Sequence, residues 1–170
     1  MSPSVRSTRL QLIHDLAERL AGDPVGGFFG DCLDALLRGT SARSAVAFAA
    51  DERLELVADR GLDSVRRPLS ALLRGASAFA ERALATRKPA KSADLHTDRD
   101  GVDDAGEFLA IGSRCVLALP VLDGRAPLAA LVLLFPDPNG VDAETIAFAG
   151  SVASLAALRA QRERRVEANL

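Results

Sequence analysis

The apolar positions of this chain switch period several times, and each switch marks an element. Between Val5 and Ala21, residues Leu10, Ile13, Leu16, Ala17 and Leu20 recur at spacings of three and four, with Arg, Asp and Glu between them. That is the stripe of an amphipathic helix. After the breaker GDP, Phe28, Phe29, Cys32, Leu33, Leu36 and Leu37 repeat the pattern as far as RGTSA, which predicts a second helix. The period then shortens. SAVAFAA at 44–50 and LELVADRG at 54–61 are β-compatible runs separated by Asp51, Glu52 and Arg53, suited to a tight turn between antiparallel strands. Helical spacing returns from Ser64 to Arg87, through Leu69, Leu72, Leu73, Phe79, Ala83 and Leu84, with an interruption at Gly75 and a stop at Pro89. AKSADL predicts a short strand, and residues 96–106 form an acidic loop without apolar periodicity.

Residues 112–135, GSRCVLALPVLDGRAPLAALVLLF, supply two long apolar strands joined by a polar loop. A long final helix begins near Val141, and Asp142 and Glu144 suit the positive end of its dipole. Its residues Ile146, Phe148, Ala149, Val152, Ala153, Leu155, Ala156 and Leu158 cover more than one stripe. A helix lying on a sheet needs one buried face, so the surplus predicts a second packed surface, against another helix or another chain. Beyond Leu158 the run RAQRERRVEANL reads as a solvated helix or a connector. The division is one domain over 1–160 and a charged tail over 161–170. Locally paired strands imply an α+β fold, with a mainly antiparallel sheet, the terminal helices on one face and the central helical segment on the other.

Composition narrows the role. A chain of 170 residues fits one domain, and 48% hydrophobic with 26% charged residues makes it globular. A formal charge of −2 gives no electrostatic reason to expect nucleic acid or an anionic membrane as partner. The longest apolar run, Leu128 to Phe135, is stopped by Pro136, short of the ~18 residues a membrane span needs. Charges through the first twenty residues interrupt any signal-peptide core, so a cytoplasmic location is expected. Two cysteines, Cys32 and Cys115, are too few for a disulfide framework or a zinc knuckle and read as buried thiols.

SRCVLALPVLDGRAPLAALVLLF followed by VDAETIAFAGSVASLAALRAQ resembles the C-terminal half of a GAF domain. Upstream, GASAFAERALATRKPAKSADL is similar to that family's helix leading into a short strand and an Asp, here Asp94. The resemblance spans roughly residues 8–160. It implies a sensory or regulatory module with the sheet as the floor of a small-molecule pocket. It also implies a homodimer formed through the N- and C-terminal helices. Alternation places Cys115, Leu117 and Leu119 on one face and Arg114, Val116 and Ala118 on the other. The family position matching Cys115 is often Ser and tends to lie near the pocket. The expected ligand-binding set is therefore Arg74, Phe79, His96, Phe108, Arg114, Cys115 and Leu117, with the lid drawn from the Phe79 helix and the 94–111 loop. A core role explains Phe79, Phe108 and Leu117 equally well. The cofactor and the ligand are not named by the sequence.

Other chemistry is weaker. His96 in DLHTDRD invites a haem or metal role, which some family members have, but reads better as an exposed loop residue. His14 beside Asp15 reads as a surface or interface side chain. A calcium loop starting at Asp98 would need Gly at its sixth position and an acid at its twelfth, where Asp103 and Leu109 stand. Arg66, Arg67 and Arg74 suit either an anion or a solvated face. There is no Ser/His/Asp set, no Gly-rich phosphate loop and no HExxH, so no catalytic or metal-ligating residue is expected. Free methionine sulfoxide reductases resemble GAF domains but need paired thiols, and the cysteine expected before the short strand falls near Ala80. Three roles stand in order: a ligand sensor, an assembly module with a filled cavity, and a thiol enzyme. With no output chemistry in these residues, a signal would leave through a partner or through an attached output domain.

Overall fold

The structure is a computed structural model and describes residues 3–22, 27–97 and 105–169. Helix α1 (Pro3–Ala21) and helix α2 (Phe29–Gly39) precede strands β1 (Ser44–Ala50) and β2 (Leu54–Arg60). Then come α3 (Ser70–Thr86), β3 (Ala90–Ser92), α4 (Ala105–Ala110), β4 (Cys115–Asp123), β5 (Ala126–Phe135) and α5 (Ala143–Ala168). The strands form one sheet in the order β2-β1-β5-β4-β3, antiparallel throughout. The fold is α+β, as the pattern predicts.

Pairing fixes which side chains share a face. The β4–β5 register sets Cys115 opposite Phe135, Leu117 opposite Leu133 and Leu119 opposite Leu131. These residues, with Ala45, Ala47, Val121 and Ala129, bury under α1, α2 and α5. The alternate set, Val46, Phe48, Val116, Ala118, Ala130, Val132 and Leu134, buries under α3 and α4. Both faces of the central strands are thus covered, which is why the β5 sequence is an apolar run rather than an alternation. β4 and β5 are joined through Gly124 and Arg125, and Gly124 takes φ 61°, the left-handed conformation that tight hairpins favour.

Two details differ from the sequence pattern. Helix α3 begins at Ser70, not Ser64, because Pro68 disfavours helical backbone in the residue before it. The helix then runs unbroken through Gly75, which is buried. The second apolar surface of α5 packs against other helices, the first of the two alternatives the pattern left open: Phe148, Val152 and Ala156 share a core with Leu16, Leu20, Leu33 and Leu36 of α1 and α2.

The terminal helices run parallel and are pinned at both ends. Arg9 of α1 donates from Nε to the carbonyl of Gly39 at 2.8 Å and from Nη2 to Thr145 Oγ1 at 3.2 Å. At the other end, Arg159 Nη1 of α5 donates to the carbonyls of Leu20 at 3.0 Å and Gly22 at 2.8 Å, and Arg162 Nη1 reaches Ala21 at 2.8 Å. Two guanidinium groups therefore satisfy the last carbonyls of α1, where a helix dipole favours cations. Asp142 caps α5 by accepting from the Thr145 N–H at 2.7 Å. Among the described residues, no helix is long and apolar enough to cross a membrane.

Candidate functional site

The face under α3 and α4 collects part of the expected site. Phe79, from the buried side of α3, meets Phe108 of α4 edge to face, with ring centroids 6.1 Å apart. Both rings are buried, packed with Leu72, Leu95, Val116 and Leu134. The sequence pattern predicts loop over 94–111, where α4 stands, because a helix of six residues shows too little periodicity to register. An exposed ion pair at 3.4 Å between Arg67 and Glu107 ties α4 to the segment before α3. Residues 98–104, which carry most of the acidic loop and the rejected calcium ligands, lie outside the described residues.

At the rim of this face, Arg114 forks onto Asp94. Its Nη2 donates to both carboxylate oxygens at 3.0 and 3.1 Å, and its Nε reaches Oδ1 at 3.3 Å. The backbone N–H of His96 donates to the same Oδ1 at 3.0 Å. That N–H bond, followed by Arg114, holds the Asp94 carboxyl below the usual carboxylate range. His96 itself is exposed. The site also contains a residue that the sequence reading passed over. Ser92 of β3 lies directly opposite Val116 and on its face, is only 1% exposed, and its hydroxyl has no hydrogen-bond partner among the described residues. A lone hydroxyl at the inward position of AKS was the available signal.

The other expected residues lie elsewhere. Cys115 and Leu117 point to the opposite face, under the terminal helices, because they pair across from Phe135 and Leu133 of that core. The Cys115 Sγ lies 2.7 Å from the carbonyl oxygen of Ala93 and 2.9 Å from that of Asp137, so its single S–H has either as acceptor, between two strand ends and away from the α3/α4 face. Cys32 lies in the same core, and burial, then the charge of Asp31, pushes its thiol up to about 12. Arg74 sits on the exposed side of α3, since Leu72, Ala76, Phe79 and Ala83 occupy the buried side. His14 pairs with Glu18 at 3.1 Å on the exposed face of α1. A cleft of about 480 Å³ opens between the C-terminal end of α2 and the start of α5, lined by Arg9, Arg38, Thr40 and Asp142, and holds none of the seven expected residues.

A family model described as GAF domain matches residues 10–159. No curated protein sequence matches the chain significantly. Among solved structures, the chain resembles the GAF domain of the Acinetobacter phosphoenolpyruvate-protein phosphotransferase, with TM-score 0.68, 14% identity and 98% of each chain covered. It resembles the GAF domain of a sensor histidine kinase from Pseudomonas syringae pv. tomato, with TM-score 0.64, 19% identity, 97% of this chain and 93% of that one. It also resembles the free methionine-R-sulfoxide reductase from Neisseria meningitidis in complex with its substrate, with TM-score 0.74, 14% identity, 98% of this chain and 95% of that one. At these identities the likeness establishes the fold alone.

Proposed function

The chain belongs to the GAF domain family, and from that premise we propose that it is a cytoplasmic sensory or regulatory module in a signal-transduction system. It binds a small molecule on the α3/α4 face and pairs with a second copy through α1 and α5. The observation that carries this reading is the rim of that face, where the Asp94–Arg114 pair stands beside a buried apolar interior containing one unsatisfied hydroxyl. Apolar walls with a few convergent polar groups are what small-molecule sites present. The resemblance to GAF domains of a sensor kinase and a phosphotransferase supports the same role. Leu10 of α1 and Leu158 and Val166 of α5 are 70%, 63% and 57% exposed, apolar surface suited to a partner helix. The exposed last turns of α5, from Arg162 onward, are the exit we assign to the signal, toward an output domain or partner.

One observation favours a second reading. Phe79 and Phe108 already fill the middle of the α3/α4 face, as an assembly module with no ligand would require. The thiol-enzyme reading is the least supported. Both cysteines of the chain lie under the terminal helices, and a thiol near 12 supplies almost no thiolate at neutral pH. Native mass spectrometry of freshly purified protein, set against its denatured mass, separates the readings. A dimer carrying a releasable mass supports the sensor; a dimer without one supports assembly; a monomer removes the paired-helix argument from both.

A further inference from the structure

A mainly apolar groove of about 260 Å³ runs between the end of β4 and one flank of α5. Its walls include Pro89, Leu119, Pro120, Ala153 and Ala157, and none of its lining residues is charged. Cations border it instead. Ala90 packs in the α3/α4 core, so alternation turns Pro89 and Lys91 to the other side, where Lys91 sits across from Leu117. Lys88 is exposed beside Pro89, and Arg87 donates from Nε to the Arg125 carbonyl at 2.9 Å, at the tip of the β4–β5 hairpin. Among the described residues neither lysine has an ion-pair partner. On α5 no charged residue stands between Glu144 and Arg159. Gly150, on the α5 wall, adds an independent sign. Glycine weakens a helix interior relative to alanine, yet a Cβ placed there would meet no atom within 4 Å. Nothing packed inside the described chain calls for a glycine at this point, whereas a second backbone approaching from outside does.

We propose that this groove docks an acidic amphipathic helix of a partner protein. Shape selects a helix. Gly150 and Ser154, and beside them Ala153 and Ala157, stand four apart in two rows of small side chains that let a helix axis come close. The apolar face of the partner helix lies over Pro89 and Leu119, with anchors one turn apart. Charge selects an acidic one. Its carboxylates meet Lys88, Lys91 and the hairpin cations at the rim, where a basic helix would set like charges together. The groove also stands apart from the flank of α5 that meets α1. Ala157 and Arg159 are about 200° apart around the helix, and it is Arg159 that reaches the carbonyls of Leu20 and Gly22. A partner helix and a second copy of the chain can therefore share α5. The inference goes beyond the regulatory reading, since it gives the signal a partner of stated chemistry and needs no ligand on the α3/α4 face.

Fluorescence anisotropy with labelled synthetic helices and the full chain tests this. The probe carries leucines at positions i, i+4 and i+7 flanked by glutamates. One control replaces its glutamates by lysines, and the other its leucines by alanines. The acidic probe is expected to bind about tenfold tighter than either control and to weaken as salt is raised. Lys88→Glu combined with Lys91→Glu should cost about tenfold and turn the preference toward the lysine control. Gly150→Leu places its side chain in open space and improves helix propensity, so it should melt no lower than the parent protein and abolish binding. Equal binding of the lysine control, or acidic-probe binding that survives Gly150→Leu, overturns the proposal. An inert acidic probe overturns it as well. Sedimentation of Gly150→Leu covers the other occupant: conversion of a dimer to a monomer assigns the groove to a second copy and overturns the proposal, while an unchanged mass supports it. The releasable mass that tests the sensor is read separately, so the two can fail independently.

Discussion

Under α1, α2 and α5 the sheet presents Ala45, Ala47, Cys115, Leu117, Leu131, Leu133 and Phe135, every one buried. Even the thiol among them has a carbonyl acceptor within reach. Under α3 and α4 it presents Val46, Phe48, Val116, Val132 and Leu134, equally apolar. Among the described residues each side holds one buried polar atom without a hydrogen-bond partner, the Ser92 hydroxyl here and Arg159 Nε there, but here the outer cover includes a helix of only six residues. Among the described residues the first face is closed by three helices tied together through arginines, and the second by one long helix and one short one. A sheet can carry a rigid half and an adaptable half when the same strands alternate their side chains between two unequal covers.

The strongest challenge to this contrast compares two fully buried phenylalanines. Phe135→Ala and Phe108→Ala each remove a ring that is 0% exposed, a change that costs about 3–5 kcal/mol. Chemical denaturation should place Phe135→Ala at the upper end and Phe108→Ala at the lower, because α4 can settle into the space while the three-helix layer cannot. The reverse order would remove the claim that the α4 side yields more easily. Next in size, Arg159→Met should cost about 2–3 kcal/mol, since it strips charged hydrogen bonds from the carbonyls of Leu20 and Gly22. A loss below about 0.5 kcal/mol would mean that the clasp does not contribute to the rigidity of that layer.

Smaller effects refine the picture. Asp142→Ala should cost about 1 kcal/mol by uncapping α5, read from the denaturation midpoint. The side-chain and backbone bonds to Thr145 hold the Asp142 carboxyl below its ordinary value, as His96 and Arg114 do for Asp94. Because both folded values are depressed, the stability they contribute is complete above the unfolded carboxylate value near 4. It is lost as the pH falls through the folded values. The NMR-detected titration of both carboxyls should therefore have midpoints below 3.8. In Arg114→Gln the Asp94 midpoint should rise while that of Asp142 stays fixed.

Much of this architecture is legible in the residues. SAVAFAA is β1 at its exact limits, and the hairpin and the acidic start of α5 sit where the periodicity puts them. Alternation also separates Cys115, Leu117 and Leu119 correctly from Arg114, Val116 and Ala118. It cannot say which set meets which helix layer, because that depends on how distant elements fold back. Cys115 and Leu117 therefore lie on the opposite face of the sheet from Phe79 and Phe108, with which they were grouped. Arg74 is parted from Phe79 for a related reason, as a helix places residues two apart on different sides and Leu72 and Ala76 hold the buried one. Ser92 was hidden because a strand of three residues gives one inward position on either side of Lys91, too few to reveal a pattern.

The outer strand carries one more consequence. Between the pairs Ala47–Ala58 and Phe48–Leu56 the register slips, so Val57 is an extra residue that bulges out of β2, where it is 46% exposed. β2 ends the sheet, and an open edge of this kind is a template on which another chain can add strand after strand. A bulge breaks the even spacing of hydrogen-bonding groups that such growth needs. An apolar side chain that looks like a liability thus sits on an irregularity of the kind that disfavours edge-to-edge growth.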